Sequence, residues 1–233
     1  MMKYDAAQIM TAVASICPEI QQRVDRTTPC GDERSLWWEL SSCVLSSQVP
    51  YSLATAAADA IDQSNLLFDP VCDDQLEVRL EDVLRKPLTI AGRLRTYRFP
   101  SAKAAQLART YYRIHCEADS LSSLLAGFST ASDARKWLVD HAPGLGPKQA
   151  SMFLRNIGTS YDLAVIDRHV LRYMEITGVL PHNGGAITSL KRYRNAESTL
   201  RTHADSVTCS VGIMDWAIWI VMRVAKQSEV QQA

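Results

Sequence analysis

Lys148 and Asp167 are the two residues of this 233-residue chain whose placement could do chemistry. Lys148 closes the run Gly144-Leu145-Gly146-Pro147-Lys148. Pro147 suits the first position of a helix, where its missing N–H costs nothing and its φ is already helical. Gly144 and Gly146 permit a tight turn with amides facing outward. Such amides at a helix N-terminus form an anion site that fits a nucleic-acid phosphate. Lys148 then falls in the first helical turn, where its charge opposes the helix dipole. That is a poor place for a lysine with only a structural task, and the local field favours the neutral, nucleophilic amine. Asp167 precedes Arg168-His169-Val170-Leu171 and suits a helix N-cap. A cap would hold its carboxylate rigidly, so capping is compatible with stabilising positive charge on a substrate.

The elements that must position these two residues are helical. Apolar positions at Ala134, Trp137 and Leu138 predict a helix over 132–141, and a second over 148–157 is closed by Gly158 just past its end. Elsewhere the periodicity is helical nearly throughout, and two-residue alternation is scarce. It predicts a first helix over 6–17, ended before Pro18, and one capped by Asp32 that carries Leu36, Trp37, Leu40, Cys43 and Val44. Further helices are expected over 52–61, 76–84, 102–116 after Pro100, 121–125, 168–177 before Gly178 and Pro181, 197–203 and 211–226. Residues 86–99, with Pro87 and Gly92, read as an irregular basic loop, and Gly184-Gly185 marks another. The fold class is all-α, without internal repeats or low-complexity tracts.

The hairpin unit over 141–158 resembles the helix-hairpin-helix motif of the DNA glycosylase superfamily of that name (HhH-GPD). Tyr161-Asp162-Leu163-Ala164-Val165-Ile166-Asp167-Arg168-His169 is similar to the segment that carries that superfamily's catalytic aspartate, at about its usual interval from the lysine. Val44-Leu45-Ser46-Ser47-Gln48 resembles the place where endonuclease III-like and archaeal 8-oxoguanine glycosylases put a glutamine wedge. Arg95-Thr96-Tyr97-Arg98-Phe99-Pro100 and Met214-Asp215-Trp216-Ala217-Ile218-Trp219 look like the Tyr-Arg-Phe segment and C-terminal helix of the archaeal branch. The resemblance runs in pieces from about residue 36 to 226. That branch typically ends in a lysine whose terminus takes part in recognition; this chain departs from it, with 227–233 following Lys226.

The resemblance implies two helical subdomains with the active site in the cleft between them. One, 1–48 with 143–233, would carry the hairpin and the catalytic aspartate; the other, 49–142, would be a middle bundle. It implies a bifunctional DNA glycosylase/AP lyase that flips a damaged nucleotide out of the duplex. Lys148 would attack the sugar's C1′ and Asp167 would stabilise the developing charge. Gln48 would fill the vacated stack. Gly144, Gly146, Arg98 and Arg168 would bind DNA, and Met152, Asp215, Trp216 and Trp219 would line the base pocket. Asp215 is costly to bury without a partner, so it either bonds the base or pairs with an arginine such as Arg223. The two tryptophans sit at a spacing that also suits a core. An oxidised purine, 8-oxoguanine above all, is the expected substrate. The alternatives are another damaged base, such as an oxidised pyrimidine, and a non-catalytic DNA-binding module. Phosphate gripping needs neither Lys148 nor Asp167, and both are present.

Composition restricts the partners. The chain is 47% hydrophobic, enough for a substantial core, and its 25 basic residues are balanced by 25 acidic ones, with a pI near 6.9. That excludes a histone-like binder. Basic groups would have to gather on one face: Arg93, Arg95, Arg98 and Lys103 cluster, as do Lys191, Arg192 and Arg194, while acids collect over 69–82. Any single arginine is better explained as solvated surface. The cysteines at 17, 30, 43, 72, 116 and 209 form no CxxC, which argues against zinc, a disulfide framework or the four-cysteine iron–sulfur loop of many endonuclease III-like enzymes, and for a reducing compartment. The histidines at 115, 141, 169, 182 and 203 lack metal spacing. No metal or cofactor is expected, although the hairpin backbone could hold a monovalent cation. The N-terminus lacks signal-peptide character, and the apolar stretch 211–224 is short for a membrane span. The expectation is a monomer that acts on double-stranded DNA in the cytoplasm, at the nucleoid, or in the nucleus, without secretion or membrane attachment.

Overall fold

The computed structural model describes residues 5–26, 31–68, 75–180, 187 and 189–230, with side chains through 225. Its elements run α1 (Ala6–Asp25), α2 (Glu33–Leu45), α3 (Tyr51–Ser64), α4 (Leu76–Arg85), β1 (Leu88–Ile90), β2 (Arg93–Arg95), α5 (Pro100–Glu117), α6 (Leu121–Ala126), α7 (Ala131–His141), α8 (Pro147–Asn156), α9 (Arg168–Ile176), α10 (Leu190–Asp205) and α11 (Val211–Val230). The helical class expected from periodicity is present. Cys30, Cys72, Pro181, His182, Gly184, Gly185 and the 69–74 part of the acidic connection lie outside the described residues.

Contacts divide the chain into one contiguous unit, Pro29–Ile157, and one assembled from Met1–Thr28 with Gly158–Ala233. In this division the hairpin and α2 group with the middle helices, because α2 packs on α3 and α8 packs on both α7 and α2.

In the contiguous unit, Asp32 caps α2 by accepting the Ser35 amide at 2.9 Å. Leu36, Trp37, Leu40, Cys43 and Val44 are all buried, as their helical spacing predicts. Glu33 reaches out of the same helix to α6, where its two oxygens accept the Leu121 and Ser122 amides at 2.8 and 3.0 Å. Residues 86–99 are not merely irregular. β1 and β2 pair antiparallel, Leu88 with Arg95 and Ile90 with Arg93, around Ala91-Gly92. Both turn residues have positive φ, +48° and +75°, the requirement of a two-residue hairpin turn. Ala91 is an unusual residue for that position, which hid the hairpin. Lys103 also differs from expectation. It is buried rather than part of a surface cluster, and its amine donates to Gln106 Oε1 at 2.9 Å. Burial lowers its pKa.

In the discontinuous unit, α1 packs along α11, and α9 and α10 also pack on α11. Asp5 opens α1 with a capping box to Gln8. Pro18 does not end this helix. Ile9 and Val13 before it and Cys17 and Ile20 around and beyond it form one buried stripe, so packing on both sides outweighs the cost of an interior proline, about 3 kcal/mol for the lost hydrogen bond and the ring clash together. The expected helix over 197–203 is the middle of the longer α10. Among the described residues, no helix is long and apolar enough to cross a membrane, and no cluster of three His, Cys, Asp or Glu could hold a metal.

Candidate DNA glycosylase site

Thr130 caps α7, and after His141 the chain turns through Ala142-Pro143-Gly144-Leu145. The Leu145 amide donates to the Ala142 carbonyl at 3.1 Å, and Gly144 has φ +93°. Proline followed by a positive-φ glycine is the sequence pattern of a type II turn. The space at Gly144 is also tight: a Cβ there would press on Gln106 Oε1, which would have to move, and would lie 3.1 Å from Val44 Cγ1. Leu145 is buried and seats the turn. Gly146 differs: its φ of −81° suits any residue, so of the two glycines Gly144 alone takes the left-handed region. Gly146 is the N-cap of α8, and among the described residues no side chain caps the helix. Those amides therefore remain available to an anion.

Pro147 and Lys148 are the first two residues of α8. Lys148 is half-buried, and Met152, one turn further on, is half-buried as well. Beside them in α2 lies the buried thiol of Cys43. Its pKa is pushed well up, first by burial and then by the Glu39 carboxylate, while the charges of Lys148 and Arg155 act in the opposite direction. Glu39 Oε1 accepts Asn156 Nδ2 at 2.7 Å and Cys43 Sγ at 3.5 Å, and burial is the main cause of its raised pKa. Lys148 thus shares its electrostatic surroundings with a carboxylate–thiol pair that sequence reasoning missed. Arg135, fully buried, donates to Ser151 Oγ at 3.2 Å and ties the two hairpin helices together.

Gln48 lies in the turn between α2 and α3, exposed, with φ +63°. A non-glycine residue there carries strain of about 1–2 kcal/mol, which often marks a functional position. Arg98 is exposed, with its guanidinium 4.9 Å from the centre of the Phe99 ring. Between Arg98 and β2 sits Tyr97, which is buried and donates its hydroxyl to the Leu45 carbonyl at 2.7 Å.

In the other unit, Asp167 caps α9 as its sequence context predicts. Its Oδ1 accepts the amides of His169 at 2.7 Å and Val170 at 2.9 Å. Both bonds fall on one oxygen, which leaves Oδ2 outside the cap. Arg168, the first residue of α9, is exposed. The chain leading to Asp167 is extended and pinned residue by residue. The Ala164 amide donates to Glu197 Oε1 at 2.8 Å, Val165 to Asp215 Oδ2 at 2.6 Å, and Ile166 to the Tyr193 hydroxyl at 2.8 Å. The same hydroxyl donates to the Ala164 carbonyl at 2.8 Å. Arg201 bonds the Asp162 carbonyl. Gly212 donates to the Tyr161 carbonyl at 2.8 Å, and a Cβ on it would lie 2.7 Å from that oxygen.

Asp215 is therefore not limited to the two options its sequence context suggested. It is 1% exposed and its carboxylate takes a backbone amide. Trp216 is half-buried against the core of this unit, and Trp219 is partly exposed with the Arg223 guanidinium 4.4 Å above its ring. Glu197 and Tyr193 were missed in sequence, although an acid inside the stripe Tyr193, Ala196, Leu200, Ala204 was a readable signal.

Solved structures share this architecture. The 8-oxoguanine DNA glycosylase of Thermotoga maritima aligns with a TM-score of 0.67 at 28% identity, over 92% of this chain and 95% of its own. A Methanocaldococcus jannaschii 8-oxoguanine glycosylase/lyase, in complex with a 15mer DNA containing 8-oxoguanine, shares the fold with a TM-score of 0.66 at 21% identity, over 90% of this chain and 94% of its own. Residues 20–209 match the family model described as 8-oxoguanine DNA glycosylase. An 8-oxoguanine DNA glycosylase/AP lyase of Sulfurisphaera tokodaii is 31% identical over 188 residues, 80% of this chain and 82% of that protein. The chain belongs to the 8-oxoguanine DNA glycosylase family.

Proposed function

We propose that this chain excises 8-oxoguanine from duplex DNA and then nicks the strand, as a glycosylase with AP lyase activity. The observation that carries the reading is Lys148 in the first turn of an uncapped hairpin helix, next to a turn that only glycine can make. Family membership and the activity named for the relatives support it. The hairpin amides hold a phosphate of the damaged strand and set the register without reading sequence. Lys148, as the neutral amine, attacks C1′ of the flipped nucleotide; the glycosidic bond breaks and its electron pair leaves with the base. The attached nitrogen loses a proton, and the C1′–O4′ bond of this N,O-acetal breaks, O4′ taking up a proton as a hydroxyl and leaving a Schiff base at C1′. Loss of a C2′ proton then expels the 3′ phosphate by β-elimination. Asp167 offers Oδ2 to the positive charge that develops on the sugar. Gln48 occupies the vacated stack, Arg98 and Arg168 contact the backbone, and Met152, Trp216 and Trp219 face the base. The enzyme acts as a monomer in the compartment that holds the DNA. It needs no cofactor, with a monovalent cation at the hairpin carbonyls as an optional addition.

Borohydride trapping on duplexes that carry 8-oxoguanine, thymine glycol, uracil, an abasic site or no lesion tests this reading. A covalent complex on 8-oxoguanine DNA, lost in Lys148→Gln while DNA binding persists, is the expected result. Trapping confined to the abasic site would overturn the base assignment, and trapping on thymine glycol alone would replace it with an oxidised pyrimidine. Normal excision by Lys148→Gln would remove the nucleophile.

A further inference from the structure

We propose that Tyr97 is a positioning residue for base extrusion, holding Gln48 and Arg98 in one fixed geometry against the duplex. The proposal rests on the reading of Gln48 as the side chain that fills the vacated stack.

A helix leaves its last four carbonyls without intrahelical partners. At the end of α2 the Ser42 carbonyl accepts the Ser46 amide at 3.0 Å and the Cys43 carbonyl accepts Ser46 Oγ at 2.8 Å. The last carbonyl, that of Leu45, accepts the Tyr97 hydroxyl at 2.7 Å, from a residue 52 positions away. Three residues beyond Leu45 stands Gln48, exposed and in the left-handed region at φ +63°. Pro50 follows and opens α3, its carbonyl accepting the Leu53 and Ala54 amides at 3.0 and 3.1 Å. The turn that carries Gln48 is thus held rigidly on its far side by a proline and on its near side by one buried hydroxyl. A strained conformation persists only where its surroundings over-determine it. Tyr97 is the long-range part of those surroundings.

The same ring fixes a second candidate contact. Tyr97 is 2% exposed, so its backbone is anchored, and the next residue, Arg98, projects outward over Phe99 at the entry to α5. Two side chains expected to touch DNA, far apart in sequence, therefore take their positions from one buried phenol. A wedge must meet the stack as the base leaves it, and small misplacements of such groups are expensive in rate.

Tyr97→Phe removes the hydroxyl and keeps the ring. The full-length variant is compared with Gln48→Ala and the double variant. The assays are single-turnover excision from duplex 8-oxoguanine DNA, fluorescence of a 2-aminopurine next to the lesion, and cleavage of a preformed abasic site in single-stranded DNA. Tyr97→Phe should slow duplex excision by about tenfold to a hundredfold and blunt the 2-aminopurine signal. It should leave single-strand cleavage near that of the unsubstituted enzyme, which also certifies a folded protein. Adding Tyr97→Phe to Gln48→Ala should cost nothing more. If Gln48→Ala extrudes and excises normally, the reading of Gln48 fails and the inference falls with it. If Gln48→Ala is impaired but Tyr97→Phe is not, the inference alone is overturned. Multiplicative losses in the double variant, or equal losses on single-stranded and duplex DNA, overturn it as well, because Tyr97 would then act on folding or chemistry in general.

Discussion

The carboxylate of Asp215 accepts the amide of Val165 at 2.6 Å, two residues before Asp167. A fully buried acid is therefore committed to the backbone that delivers the candidate catalytic carboxylate, with Glu197 and Tyr193 holding the residues on either side. Asp215→Ala should orphan the Val165 amide and cost about 2–3 kcal/mol of stability. Excision should fall more than DNA affinity, because the phosphate grip proposed above lies on the hairpin. Asp215→Asn keeps an acceptor oxygen and should recover most of the loss. Chemical denaturation and single-turnover kinetics on the pair of variants would decide; equal behaviour of the Ala and Asn variants would remove the bracing role.

Gly144→Ala should weaken DNA binding more than any other single change in the hairpin. The left-handed φ alone costs about 1–2 kcal/mol, and the new Cβ presses on Gln106 Oε1, which would have to move. Shortening Gln106 to Ala in the same chain should relieve the clash and leave the φ penalty, so recovery should be partial. Gly146→Ala, at φ −81°, should be nearly silent by comparison. Melting curves with and without a short duplex would order the three.

Acid should loosen the discontinuous unit before it affects the other. His203 Nε2 lies 2.8 Å from the Tyr173 hydroxyl, and burial lowers the imidazole's pKa below 6.5. A base whose pKa is depressed in the folded state contributes stability that is complete above its unfolded pKa and lost as pH falls through the folded value. Urea midpoints should therefore drop as pH falls below about 6.5, and His203→Gln should flatten that limb. An equal drop in the variant would assign the limb to other groups.

Pro18→Ala should stabilise the protein by about 2–3 kcal/mol, since it restores a hydrogen bond and removes a clash inside α1 at an exposed position. A neutral or negative change in melting temperature would mean that the packing of α1 on α11 depends on a bend at the proline.

Much of the site was legible because its chemistry requires local geometry. A glycine-rich turn, a proline at the helix start, and an aspartate before a helix are all short-range patterns, and Gly144, Lys148 and Asp167 stand where those patterns put them. The helical class followed from apolar spacing for the same reason. What escaped was non-local. Nothing near Lys103 in sequence marks it as buried against Gln106, and nothing near Asp215 names Val165 as its partner, since those contacts exist only once the helices assemble. Pro18 misled because a local rule was overridden by a buried stripe running through it. The β1–β2 hairpin stayed hidden because Ala91 occupies a turn position where asparagine or glycine would have announced it.

The division of the chain also sets an order of assembly. Pro29–Ile157 is continuous, so α2, the Gln48 turn, Tyr97 and the glycine hairpin can all settle as soon as that stretch has left the ribosome. Asp167 cannot settle as early. The side chains that pin its approach come from α10 and α11, and α11 must also reach back to α1. Closing that long loop is slow relative to local helix formation. A nascent chain would thus hold the hairpin of its proposed DNA grip before it holds an aligned Asp167, and the proposed strand cleavage would be the last property it acquires.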